Sequence, residues 1–186
     1  MAVHVTYFVH GTTTDNERGL MTGQQDGELS ARGLREATEL GSQVAGKHFY
    51  VVFSSDLARA VRSAELAFEK THVIVLDERL RECDYGTLTG TSAAQVHDAD
   101  YIHESFPNGE SYRDVEARMK NFLAFLKESY DGTYVALMSH RFPQLALDVI
   151  LKNKTWEQAL AEDWRTVGAW QPGWSYLVSE TLMPQD

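Results

Sequence analysis

Two histidines stand at the ends of apolar runs, where side chains can meet a ligand. His10 closes one apolar run and precedes Gly11 and three threonines; His140 closes another, just before Arg141. A second histidine at a second strand end can hydrogen-bond a transferring group and stabilise the charge developing on it. Gly11 would let a ligand approach the backbone, and the hydroxyls and amides of Thr12, Thr13 and Thr14 could donate to an anion. Arg59 follows Ser54-Ser55-Asp56 by one helical turn, and a guanidinium near a helix N-terminus suits phosphate. Glu82, in Leu80-Arg81-Glu82, can serve as a general acid over a crevice. Each of these residues alone has a plainer reading: a surface turn, an arginine paired with Asp56 or Glu65, a loop glutamate. Arg62 is read in that plainer way, and His4, His48, His72, His97 and His103 as structural or solvent-facing.

The elements that must position these side chains alternate along the chain. Val3 to Val9 and the apolar runs 50–53, 72–76 and 134–138 read as strands, the inner ones apolar throughout as buried parallel strands are. Ser30 caps an expected helix to about Gly46, Ser54-Ser55-Asp56 one to about Lys70, and Ser111 opens a strongly amphipathic one to Tyr130. Helices are also expected over 142–152, with Pro143 in the first turn, and over 155–162. Residues 175–179 read as a last strand at or near a sheet edge. Residues 17–29 read as irregular, and 77–110, with Gly86, Gly90, Pro107 and Gly109, as loop with one short helix. The expectation is an α/β fold: a three-layer sandwich with a mostly parallel central sheet, one domain over 1–186 with a small cap at about 83–110. His10, Ser54-Ser55 and His140 each follow a strand, so three loops converge where such sheets bind ligands.

Composition limits the partners. The 186 residues carry 17 Lys plus Arg against 27 Asp plus Glu, a net charge of −10, which argues against nucleic acid or an anionic membrane. No apolar run is long enough for a membrane span, and the first residues lack the pattern of a secretory signal. The single cysteine, Cys83, excludes an internal disulfide framework, so a cytoplasmic location is expected. No His-x-x-x-His or His-Glu-x-x-His spacing occurs, and neither a metal nor another cofactor is expected.

Six segments in order carry a family resemblance. Phe8-Val9-His10-Gly11 through Asn16, then Gly23, Asp26, Leu29 and Ser30, Ser54 through Ala60, Leu80-Arg81-Glu82 with Tyr85-Gly86, Gly109-Glu110-Ser111, and Ser139-His140 together resemble the histidine phosphatase superfamily, also called phosphoglycerate-mutase-like. The resemblance implies a hydrolase acting on a small phosphate monoester. His10 would become a phosphohistidine, Arg59 and His140 would hold the phosphate, and Glu82 would protonate the leaving oxygen. Asn16 and the backbone at Gly11 and Gly23 would line the pocket, and Tyr85 would face the substrate.

The departures from the family pattern leave three readings open. Val9 stands where the family has an arginine, Arg141 and Phe142 follow His140 where the family commonly has Gly, and Thr89 replaces a common acid. A charge-assisted contact such as the missing one is worth roughly 1.5–3 kcal/mol. Either Arg141 reaches into the crevice and restores the charge, or the chain is a degenerate, non-catalytic binding or regulatory protein on the same fold, or Val9 and Phe142 make the site more apolar for a substrate that is not a simple phosphate monoester. Residues 91–108 hold no Lys or Arg, which argues for a small phosphatase rather than a mutase that must hold a second acidic group. His97, Tyr101, His103 and Phe106 are read as packing the cap. Trp156, Trp164, Trp170 and Trp174 are read as packing against the sheet, with Trp170-Gln-Pro-Gly-Trp174 a candidate homodimer contact.

Overall fold

The computed structural model describes residues 1–167 and 173–179. Trp170 and most of the candidate dimer segment lie outside them. Five strands, β1 (Val3–Val9), β2 (Val51–Ser54), β3 (Ile74–Leu76), β4 (Tyr134–Ser139) and β5 (Trp174–Val178), form one sheet in the order β3-β2-β4-β1-β5. The first four run parallel; β5 pairs antiparallel with β1 and forms the expected edge.

Strand alternation divides the core. Phe8, Val52, Ala136 and Met138 face a cluster with Val44, Ala60, Ala64 and Phe68, from α2 (Ala31–Val44) and α3 (Ala58–Phe68). Tyr7, Phe53, Val135 and Leu137 point the other way, onto α4 (Tyr112–Tyr130), α5 (Arg141–Lys152) and α6 (Trp156–Ala161). The result is the expected α/β sandwich, its sheet parallel except at one edge.

Local chemistry sets the helix starts. Ser30 accepts from the amide of Gly33, and Ser111 and Asp114 satisfy each other's backbone donors at the start of α4. Ser54-Ser55-Asp56 does not cap α3 as expected. Its N-cap is Leu57, Ser55 Oγ accepts from the Leu57 amide, and the Asp56 carboxylate is taken by Arg81 at 2.5 Å. A short helix α1 (Thr14–Arg18), capped reciprocally by Thr13 and Asn16, forms in a stretch read as a polar run and loop. The expected single short helix in 77–110 is instead a series of four 3-10 turns. They tie down to the 19–23 loop through Met21 N–H to Thr91 O at 3.0 Å and Gly90 N–H to Met21 O at 2.7 Å. Within them Tyr101 stacks on Phe106 at 3.7 Å between centroids, so these aromatics pack the cap. A last short helix, α7 (Trp164–Val167), was not anticipated; Trp164 stacks on Trp174 of β5.

Candidate active site

The loops after β1, β2 and β4 meet at one cavity of about 390 Å³. Its lining includes His10, Asn16, Gly23, Arg59, Glu82, Tyr85 and Arg141, which were anticipated, and Asp98, Trp164 and Arg165, which were not. His140 lies fully buried beside His10, the two rings 5.0 Å apart.

His10 is held in one tautomer. Its Nδ1 lies 2.7 Å from the carbonyl of Gly11, which can only accept, so Nδ1 carries the proton and Nε2 keeps the lone pair. Arg59 Nε points at that lone pair from 3.4 Å. Burial, followed by the Arg59 charge and more weakly the Arg165 charge, lowers the His10 pKa to about 3, so the ring is neutral at pH 7. Burial, then Arg59 and His10, drives His140 down as well. His140 Nε2 is 2.8 Å from Ser55 Oγ, while its Nδ1 is buried without a partner among the described residues. The Tyr7 hydroxyl donates to the His140 carbonyl at 2.7 Å and accepts from its amide at 3.1 Å, fixing the backbone there.

Arg59 is 2% exposed and is spread over three partners. Nη2 donates to Gly23 O at 2.6 Å, Nη1 to Gln25 O at 2.9 Å, and Nε faces His10. One N–H on each Nη remains for an anion. Gly23 takes φ +57°, a left-handed conformation that favours glycine, and a Cβ there would press on Tyr85. Asn16 spends Oδ1 on the Thr13 amide and keeps its NH2 without a partner among the described residues.

Glu82 is organised by α5. The N-cap of α5, His140, makes no side-chain cap, and Glu82 supplies one from afar. Oε1 accepts from Cys83 N at 2.9 Å and Phe142 N at 3.1 Å; Oε2 accepts from Arg141 N at 3.1 Å. Oε2 therefore keeps one lone pair toward the cavity. Tyr85 is buried against Phe106 and Phe142, and burial raises its pKa well above the ordinary value, so it meets the cavity as a neutral phenol.

Three expectations change. The close approach that Gly11 permits is to Gly33 of α2, not to a ligand, and the Gly11 amide donates to Ser63. The amides of Thr12, Thr13 and Thr14 go to Glu36, Asn16 and Glu28, which leaves no amide cradle in that loop. Arg141 lines the cavity, but its guanidinium is already paired: Nε with Asp163 at 2.6 Å and Nη2 with Asp98 at 2.9 Å. Burial works against that charge, but the two carboxylates outweigh it and raise the Arg141 pKa. Arg141 thus neither points to solvent nor offers the cavity an unpaired charge.

Among the described residues no group of three or more His, Cys, Asp or Glu side chains could hold a metal ion, and no helix is long and apolar enough to cross a membrane. Cys83 is buried, and burial followed by Glu82 and Glu110 pushes its thiol up, so it is not a nucleophile.

Comparison with known proteins gives a consistent result. The profile of the histidine phosphatase superfamily (branch 1) matches residues 7–169. Phosphoserine phosphatase 1 of Hydrogenobacter thermophilus is 28% identical over 149 residues, 74% of this chain and 71% of that one. A 2,3-bisphosphoglycerate-dependent phosphoglycerate mutase of Methylobacterium is 31% identical over 166 residues, 80% of each chain. The solved structure of a mycobacterial glucosyl-3-phosphoglycerate phosphatase superposes with a TM-score of 0.74 at 30% identity, covering 87% of this chain and 84% of that one.

Proposed function

The chain belongs to the histidine phosphatase superfamily, and from that premise we propose that it hydrolyses a small phosphate monoester through a phosphohistidine on His10. One observation carries the reading: at the cavity wall, a neutral His10 presents its Nε2 lone pair toward the Arg59 guanidinium. That lone pair attacks phosphorus, forming the N–P bond as the ester P–O bond breaks. Arg59 follows the equatorial oxygens, and the N–H groups it does not spend on Gly23 and Gln25 bind them. Glu82 delivers a proton from Oε2 to the leaving oxygen, then takes one from the water that cleaves the phosphohistidine. His140 is buried beside His10 and is not part of the cavity lining; its unpartnered Nδ1 is the group a phosphoryl oxygen would have to reach.

The cavity's size suits a small ester. The cap lines it with Ala93, Val96 and Asp98, and 91–108 contain no cation for a second phosphate, so we assign hydrolysis rather than mutase chemistry. The proposed route through His10, Arg59 and Glu82 uses no metal. We place the protein in the cytoplasm, supported by its single buried cysteine. The competing reading, a non-catalytic binding protein, rests on Val9, which lines the cavity without charge. Release of inorganic phosphate from a panel of monoesters decides between them. Turnover lost in His10→Ala supports the enzyme; no turnover across the panel, with retained binding of phosphorylated ligands, supports the binder.

A further inference from the structure

The short helix α7 puts one guanidinium at the cavity with most of its donors unspent among the described residues. Arg165, on α7, lines the same cavity as Val9, His10 and Glu82, and it is about a quarter exposed. Of its five side-chain N–H groups, one is committed among the described residues: Nη1 to Asp163 Oδ1 at 3.1 Å. The other two cations of the cavity are more heavily engaged. Arg59 is shared between two carbonyls and His10, and Arg141 between two carboxylates.

Arg165 is also held in place. Asp163, its side chain fully buried, accepts the Arg165 amide through Oδ1 at 3.1 Å and Arg141 Nε through Oδ2 at 2.6 Å. The guanidinium lies over the Trp164 ring at 4.4 Å. A chain of alternating charges, Asp98–Arg141–Asp163–Arg165, thus runs from the cap to α7. In it Arg141 completes the pairing of Asp163, and Asp163 aims Arg165. A guanidinium only about a quarter exposed, with donors uncommitted among the described residues, is well placed to bind an anion.

We propose that Arg165 is a substrate-binding residue that grips the phosphoryl group together with Arg59, with Asp163 and Arg141 positioning it. The placement of its charge agrees: it contributes to lowering the pKa of both His10 and His140, the two histidines proposed to act on the phosphoryl group. It supplies the cation that Val9 does not. This inference rests on the phosphatase reading for its chemistry but is tested apart from it, through inorganic phosphate.

Equilibrium binding of inorganic phosphate to the full chain would be compared for wild type, Arg165→Met, Arg165→Lys and Val9→Arg/Arg165→Met, beside kcat/KM on the best ester. Methionine keeps the stacking length on Trp164 while removing the donors. The expected loss is roughly ten- to a hundredfold in phosphate affinity for Arg165→Met. Lysine should restore part of it as a point charge, and Val9→Arg most of it from another position on the same cavity. A merely structural role would not be rescued by an arginine at position 9. If Arg165→Met unfolds, the folded lysine variant still decides, because loss of the fork alone must weaken binding. Phosphate affinity within twofold of wild type in Arg165→Met overturns the inference, as does a wild type that binds no phosphate. Ester turnover with no dependence on Arg165 sinks the inference and leaves the phosphatase reading standing. Arg165-dependent phosphate binding without any turnover does the reverse.

Discussion

Replacing Glu82 with glutamine changes two things at once: it removes a proton carrier, and it sets an NH2 group where a carboxylate met three backbone amides. The wild-type Oε1 accepts from Cys83 and Phe142, and Oε2 accepts from Arg141. In the better of its two orientations, glutamine keeps its carbonyl on the pair and turns its NH2 on the Arg141 amide. One buried donor is then left without an acceptor, at a cost of about 1–3 kcal/mol. For a chain of this length that lowers Tm by roughly 2–12 °C. The chemical loss should depend on the leaving group. An alkyl phosphate leaves as a poor alkoxide and should lose roughly 10²–10⁴ in kcat. The phenolate of p-nitrophenyl phosphate needs little help, and its loss should stay within about tenfold. Steady-state kinetics on the two esters and a thermal melt suffice. Equal losses on both esters would refute the proton-donor role, and an unchanged Tm would refute the account of Glu82 as a remote cap of α5.

Other outcomes follow from the same geometry. The native His10 pKa is about 3 against an ordinary 6.5, so below pH 6.5 the unfolded chain takes up a proton that the native ring refuses. Stability contributed by neutral His10 is complete above that pH and declines as pH falls toward 3, by about 1.4 kcal/mol per pH unit. Urea unfolding between about pH 5.5 and pH 4 should approach this slope, shallower by about that amount in His10→Gln; an identical slope in the variant would contradict the buried neutral ring. Gly33→Ala places a Cβ on the Thr12 carbonyl, where backbone must move. It should cost about 1–3 kcal/mol and loosen the loop carrying His10, seen as a lower Tm with weaker phosphate binding; a silent substitution would mean that the contact between α2 and this loop is not what sets His10.

The skeleton of this site was legible in the sequence because it follows from local pattern. An apolar run that stops at His10, another that stops at Ser139-His140, and a capped helix after Ser30 each announce themselves within a few residues. What the sequence hid were partners separated along the chain. Thr12 gives its amide to Glu36 and Asp56 its carboxylate to Arg81, so neither does what its neighbours suggested. Arg141 is silenced by Asp98 and Asp163, 43 and 22 residues away. Arg165 follows Asp163 by two residues, an unremarkable spacing until the backbone of α7 returns it to the cavity. The caps of α1 and the 3-10 turns of the cap region were missed for a simpler reason. Elements of three to five residues are too short for periodicity to register.

The central claim is covalent chemistry at His10. Purified protein mixed with the ester it turns over best, quenched in alkali and examined by intact mass would test it most directly, with His10→Ala alongside. A single phosphoryl adduct on the wild-type chain, localised to His10 and absent from the variant, is the predicted result. Ester hydrolysis with no adduct in either protein, or an adduct that survives in His10→Ala, would contradict it.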